Sequence, residues 1–314
     1  MARRQMRSSD SKDTAQAGEK RSNKKNTRPD KNALRGGKLS RLPKRMIIQI
    51  SATLIQNGNL KGFLTGSLYR GQLKKFCVPG LNCYSCPGAL GACPIGAIQA
   101  LGISPHFGAS YYVYGMLLLI GVLFGRLVCA FLCPFGLIQE LLYKIPVKKL
   151  REKPPIRKLL KLKYAVLLIF VIALPTAIML GGGVGFPAFC KWICPAGTLG
   201  AGFPMMISNA RLRKAIAMLF VWKVSVLVLV VVAAVKIFRP FCKYLCPLGA
   251  IYALFNKISV LYIKTDDNLC RGCGACVKVC KMQAADTDDP ECIRCGECVT
   301  KCNTKAKKWS TSRR

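Results

Sequence analysis

The sequence is short of acid. Only 13 of its 314 residues are Asp or Glu, against 49 Lys and Arg, which leaves a net charge of +36. It also lacks a signal-type apolar run at its start: Met1–Arg45 holds fifteen Lys or Arg, four acidic residues and almost no large apolar side chain. The expectation is therefore a disordered basic cytoplasmic tail over 1–45, not a secretory signal. Histidine is confined to His106, and no haem-binding Cys-x-x-Cys-His appears.

Against these shortages, 52% of the residues are apolar. So high an apolar content beside so large a charge means that the two occupy different stretches. Charge gathers in 1–45, in 144–163 and after Arg239, with long uncharged runs between. These runs predict a membrane all-α bundle of about four transmembrane helices, over 46–66, 107–128, 164–180 and 215–235. The first is the weakest, because Gln49, Gln56, Asn57 and Asn59 interrupt it. The excess of Lys and Arg in the tail and in 144–163 puts both termini in the cytoplasm, in a prokaryotic inner membrane. A basic tail that runs straight into an apolar segment points to anionic lipid headgroups as its partner, with no nucleic acid expected.

The 18 cysteines carry the chemistry. The C-terminal stretch reads Cys270-x2-Cys273-x2-Cys276-x3-Cys280, then Cys292-x2-Cys295-x2-Cys298-x3-Cys302. That spacing wraps a 4Fe–4S cubane with three thiolates and sends the fourth to the neighbouring cluster. One cluster is expected on Cys270, Cys273, Cys276 and Cys302, the other on Cys292, Cys295, Cys298 and Cys280. Gly272, Gly274 and Gly296 lie among these ligands, where backbone without a side chain can approach cluster sulfur. Zinc is the competing reading, but zinc sites usually take two separated Cys pairs or include His. Lys281 and Asn303 depart from the pattern, since proline commonly follows the fourth cysteine. The expected domains are a transmembrane 4Fe–4S-binding domain over 46–262, an α+β two-cluster bacterial ferredoxin-like domain over 263–305, and a basic tail over 306–314.

A second pattern, Cys-Pro-x-Gly, begins at Cys93, Cys133, Cys194 and Cys246, once after each apolar run. In the last three copies another cysteine stands four residues earlier, at Cys129, Cys190 and Cys242. Proline suits the first position of a helix, and a cysteine just before it sits where free N–H groups and the helix dipole favour a thiolate. With four spans, Cys129, Cys133, Cys242 and Cys246 meet on the inner side as ligands of a third cluster. The outer side offers Cys77, Cys83, Cys86, Cys93, Cys190 and Cys194, two more than a cubane takes. Cys77 is the expected non-ligand, and a disulfide competes there if that side is oxidising.

Three isolated residues draw attention. Arg126, near a span end, reads as a snorkelling cation; Lys223, deeper in a span, reads equally as snorkelling or functional. His106 reads as interfacial, with contact to a quinone head as the alternative.

With the paired cysteines and the two ferredoxin runs in view, the chain resembles the NapH-type membrane ferredoxins, a group that includes NosR and YccM-like proteins. The likeness covers roughly 45–305, and Cys77–Gly96 looks like a subgroup within it. The resemblance implies an electron-transport protein of the cell membrane, quinol dehydrogenase-like, linking menaquinol or ubiquinol to a soluble or membrane redox partner. No flavin-attachment segment precedes the apolar runs, as in NosR-like members, which puts direct donation to a periplasmic reductase in doubt. A cluster-based oxygen or redox sensor, or an accessory protein in the maturation of another metalloenzyme, is the alternative.

Overall fold

The structure, a computed structural model, describes residues 44–101, 110–150, 157–181, 186–208, 216–284 and 286–311. His106 and nearly all of the basic tail lie outside these residues. The described chain is mostly helical. In order it forms α1 (Lys44–Gln56), α2 (Leu60–Thr65), α3 (Pro94–Leu101), α4 (Ser110–Phe124), α5 (Leu127–Phe131), α6 (Pro134–Tyr143), α7 (Leu162–Val166), α8 (Leu174–Leu180) and α9 (Ala188–Trp192). It continues with α10 (Pro195–Gly197), α11 (Phe203–Ser208), α12 (Ala217–Lys236), α13 (Pro240–Tyr244) and α14 (Pro247–Phe255). Strand β1 (Tyr262–Thr265), α15 (Ala275–Val279), α16 (Glu297–Thr300) and strand β2 (Lys307–Ser310) complete it.

Among the described residues two helices are long and apolar enough to cross a membrane, Lys158–Ile178, which runs through α7 into α8, and α12; Tyr111–Phe124 is apolar but shorter. The first expected span forms no single helix. It breaks between Gln56 and Leu60, and the polar residues that weakened it in sequence explain why it stays. Gln49 is fully buried and donates from Nε2 to the Cys133 carbonyl at 2.9 Å, and Gln56 does the same to Leu132 at 3.0 Å. Helix α1 thus spends its polar face on the backbone around Cys133.

Between α7 and α8 the helix widens to a π turn over Leu167–Ala173. Such a turn leaves a carbonyl without its usual partner, and Gln99 Nε2 donates to Phe170 O at 2.8 Å. Helix α12 buries Leu227, Val230 and Ala234 on one side, while Met218, Val221, Trp222, Leu229 and Val232 stay exposed on the other.

At the C-terminal end, β1 and β2 pair antiparallel, with Tyr262 opposite Ser310 and Thr265 opposite Lys307. The strands close the segment that carries eight cysteines. That segment is fastened to the helical part through its second cysteine loop. Asn256, at the end of α14, accepts from the Arg126 amide at 3.0 Å and donates to the carbonyls of Asp289, at 3.1 Å, and Cys292, at 2.8 Å. Arg294, fully buried with its backbone in the left-handed region (φ 50), donates to Leu261 O, Asn256 O and the Ser259 hydroxyl.

Replacing Asn256 with Ala leaves these buried groups without partners, at a cost of about 1–3 kcal/mol. Hydrogen exchange should quicken in 289–295 while α12 is unchanged; uniform protection across both segments would show that the loop is held by other contacts.

Candidate metal centres

The Cys-Pro-x-Gly pattern builds one local structure wherever its helix is resolved as a cap. Cys133, Cys194 and Cys246 are the N-caps of α6, α10 and α14, with extended backbone and proline entering the first turn. In each, the glycine three residues on donates its N–H to the cap sulfur, at 3.4 Å from Gly136, 3.4 Å from Gly197 and 3.3 Å from Gly249. Cys93 precedes α3 and is drawn on in the same way by the amides of Gly96 and Ile95. Each copy therefore aims one sulfur at a helix start with N–H groups turned toward it, a setting that favours negative charge.

The sulfurs gather in sets. Burial pushes the Cys246 thiol well up, and Cys242, Cys129 and Cys133 push it further, so the four oppose one another's ionisation. Gln139 Nε2 donates to Cys242 Sγ at 3.2 Å. This is the inner quartet read from the sequence.

A second set surrounds a cavity of about 240 Å³ whose wall includes Cys83, Cys93, Cys190, Cys194, Leu81 and Lys223. Burial and then Cys194 and Cys86 push the Cys83 thiol up to about 12, with Lys223 acting against them. Cys77 and Cys86 do not line the cavity. Cys77 lies in a short bridge to Ala92, and the charge that favours a Cys86 thiolate is Lys74. Of the outer cysteines expected as ligands, the structure places Cys83, Cys93, Cys190 and Cys194 around this cavity and Cys86 next to Cys83, with Gly200 packed against both.

In the C-terminal segment burial raises the Cys292 thiol to about 12, and Cys295, Cys280 and Cys298 add to the rise. Cys280 thus lies with Cys292, Cys295 and Cys298 around one small cavity. Cys270 and Cys273 are exposed, Cys276 and Cys302 half-buried, and Cys302 Sγ lies 3.5 Å from the Thr304 hydroxyl. Gly272, Gly274 and Gly296 have φ of 64, 69 and 79. Nothing stands where a Cβ on Gly272 or Gly274 would go, so the left-handed turn is what calls for glycine there.

These sets suit a multinuclear group. A cubane takes its thiolates at four separate irons, so they stand wider apart than the ligands of one ion. Among the described residues no three His, Cys, Asp or Glu side chains converge on a single-ion site, and none of the eighteen thiols is in a disulfide. Buried thiols that resist ionisation need a strongly cationic core to hold them as thiolates.

The sets adjoin. The Leu81 amide draws on the Cys133 sulfur, while the Leu81 side chain lines the outer cavity. Tyr252, fully buried, feels Cys129, Cys133 and Cys246 of the inner set and Cys93 of the outer, and its hydroxyl donates to Pro79 O at 3.0 Å. On the other side of the inner set, Glu291, one residue before Cys292, pairs with Arg126 at 2.9 Å and with Lys163. Arg126 is fully buried, so it is held in an ion pair and does not snorkel. A matching group has Glu140 between Arg239 at 2.7 Å and Arg45 at 2.7 Å. Sequence reasoning missed Glu140 and Glu291, whose signal was their rarity: each is an acid in a chain with almost none.

The chain matches the family of 4Fe-4S binding domains in three stretches, 112–153, 163–208 and 218–264. Each match takes one apolar helix with the cysteine pair that follows it. Two uncharacterized proteins of Methanocaldococcus jannaschii are similar: one is 26% identical over 197 residues, 60% of this chain and 65% of that protein, the other 29% identical over 200 residues, 61% and 73%. The methylamine utilization ferredoxin-type protein MauN of Paracoccus denitrificans is 27% identical over 168 residues, 52% of each chain. The chain thus spans about half to three quarters of these relatives. No solved structure matches it.

Burial pushes the Glu140 carboxyl up, but Arg239 and Arg45 outweigh it and hold it below the usual range. Its contribution to stability is complete above the ordinary glutamate value of about 4.3 and is lost as pH falls through the lower folded value. Glu140→Ala should cost about 3–5 kcal/mol near neutral pH. Thermal unfolding of both proteins against pH checks this: the gap between them should be full above about pH 4.3 and close below it.

Proposed function

We propose that this chain, a ferredoxin-type 4Fe–4S protein, is anchored in a membrane and carries single electrons between a lipid-soluble or membrane donor and a soluble redox partner. A 4Fe–4S cluster takes up and releases one electron at a time. Four sets of thiols would each hold one: Cys83, Cys93, Cys190 and Cys194; Cys129, Cys133, Cys242 and Cys246; Cys280, Cys292, Cys295 and Cys298; and Cys270, Cys273, Cys276 and Cys302.

The observation that carries this reading is the adjacency of the first three sets. Leu81 lines the outer cavity while its amide serves Cys133, buried Tyr252 lies within electrostatic reach of both sets, and the loop of Glu291 and Cys292 is tied by its ion pair to Arg126, three residues before Cys129. Two membrane faces lie about 30 Å apart, too far for a single efficient electron step; motifs that meet inside the fold avoid that gap. The fourth set ends the row at exposed Cys270 and Cys273, where a soluble partner can reach it.

Membrane anchoring is supported by Lys158–Ile178 and α12 and by the apolar side chains α12 leaves uncovered. Menaquinol or ubiquinol is the donor class that suits such a location. Lys223 belongs to this chemistry: it faces the outer thiols and favours their ionised form.

Protein purified without air should contain about sixteen iron atoms and as many labile sulfides per chain. About eight would confine clusters to 270–302 and sink the proposed row. Reconstituted in vesicles, the clusters should be reduced by a quinol analogue. Clusters reducible by dithionite but by no quinol would remove the quinone donor, and a change in a partner enzyme's metal content on gene deletion, with electron flow intact, would favour the maturation role.

A further inference from the structure

The pattern Arg-x-x-Cys-x-x-x-Cys-Pro-x-Gly occurs twice, as Arg126 to Gly136 and Arg239 to Gly249. These are the two copies whose cysteines make the inner set. The remaining Cys-x-x-x-Cys-Pro copy, at Cys190, has Pro187 where the arginine would stand.

The two arginines are exchanged. Arg126, from the first copy, donates from Nη2 to the carbonyl of Cys242 in the second at 3.2 Å. Arg239, from the second, donates from Nη1 to the carbonyl of Cys129 in the first. Each also packs over the other copy's glycine: a Cβ on Gly136 would meet Arg239 Nη1 at 3.1 Å, and one on Gly249 would meet Arg126 Nη2 at 3.6 Å. The contacts are thus reciprocal, each arginine reaching the backbone of the other copy. Both are fully buried. Arg239 holds its position with its backbone in the left-handed region, at φ 51, a conformation disfavoured for a residue other than glycine.

Each arginine shares one carboxylate with a second cation, Arg126 and Lys163 on Glu291, Arg239 and Arg45 on Glu140. Arg45 also approaches Glu297 at 3.9 Å, and Glu297 pairs in turn with Lys281 at 3.0 Å, so that group counts three cations to two carboxylates and the Glu291 group two to one; either keeps one positive charge over. Four thiolates about an oxidised cubane carry about two negative charges, and reduction adds a third. The surplus matches the first state and favours the second, in a buried place where charge is poorly screened. The outer thiols have Lys223 as the cation on their cavity wall along with Lys191, neither in a buried ion-pair group.

We propose that Arg126 and Arg239 are paired positioning residues that raise the reduction potential of the site at Cys129, Cys133, Cys242 and Cys246. This rests on the cluster assignment under Proposed function. A hydrogen bond alone would orient the backbone; the charge is what sets the potential.

The test is an EPR-monitored redox titration of the full chain, purified without air, with the inner signal identified as the one lost in Cys246→Ala. In Arg239→Gln its midpoint should fall by at least a tenfold change in the reduction equilibrium, ~59 mV for one electron. Arg239→Lys should restore most of the loss. Glu140→Gln removes a negative charge and should shift the midpoint the opposite way, which damage to the fold would not do; should Arg239→Gln not accumulate, Glu140→Gln decides alone. An inner midpoint that stays put in a variant with full iron and sulfide, or one that moves in the same direction in Arg239→Gln and Glu140→Gln, overturns the inference while leaving the cluster row standing. A wild-type chain with no signal dependent on Cys246 overturns the row itself, and this inference with it.

Discussion

The structure depends on the cost of gathering sulfur anions inside protein. A buried thiolate is disfavoured by loss of water and by every other thiolate beside it. The fold answers with fixed positive ends: amides of Gly136, Gly197 and Gly249 on the capping sulfurs, and then whole guanidiniums behind the inner set. The Cys-Pro helix start is the economical part of this solution. One proline sets the turn, one glycine supplies the donor, and the helix that follows adds its dipole.

That constraint also explains where the acid goes. With so few carboxylates in the chain, Glu140 and Glu291 are not surface decoration; each is buried between two cations. Without them the arginines would be uncompensated buried charges, which are more costly than a buried pair. The polar residues of α1 follow the same logic, because Gln49 and Gln56 satisfy carbonyls released where the chain turns at Cys133.

Much of the site could be read from spacing. The repeated Cys-Pro-x-Gly, the inner quartet and the placing of Cys280 with the second ferredoxin run all follow from intervals of a few residues, because a short loop leaves its ligands little freedom. The arrangement of the six outer cysteines was not legible. Cys83 and Cys86 are equally placed in sequence, yet Gly197 packs against Cys83 and Cys194, and Gly200 against Cys86 and Cys83. The first span, weak in sequence, breaks after Gln56, and hydropathy cannot say that Gln49 and Gln56 reach buried carbonyls. Arg126 was read as snorkelling because its partner, Glu291, lies 165 residues away.

Glu291 stands one residue before Cys292 and is bound at both oxygens to the helical part. Together with Arg294 and Asn256 it leaves the second cysteine loop no slack. On the proposed electron-carrying role, the C-terminal segment would then serve as a fixed terminal and not as a swinging arm, and its redox partner would do the travelling.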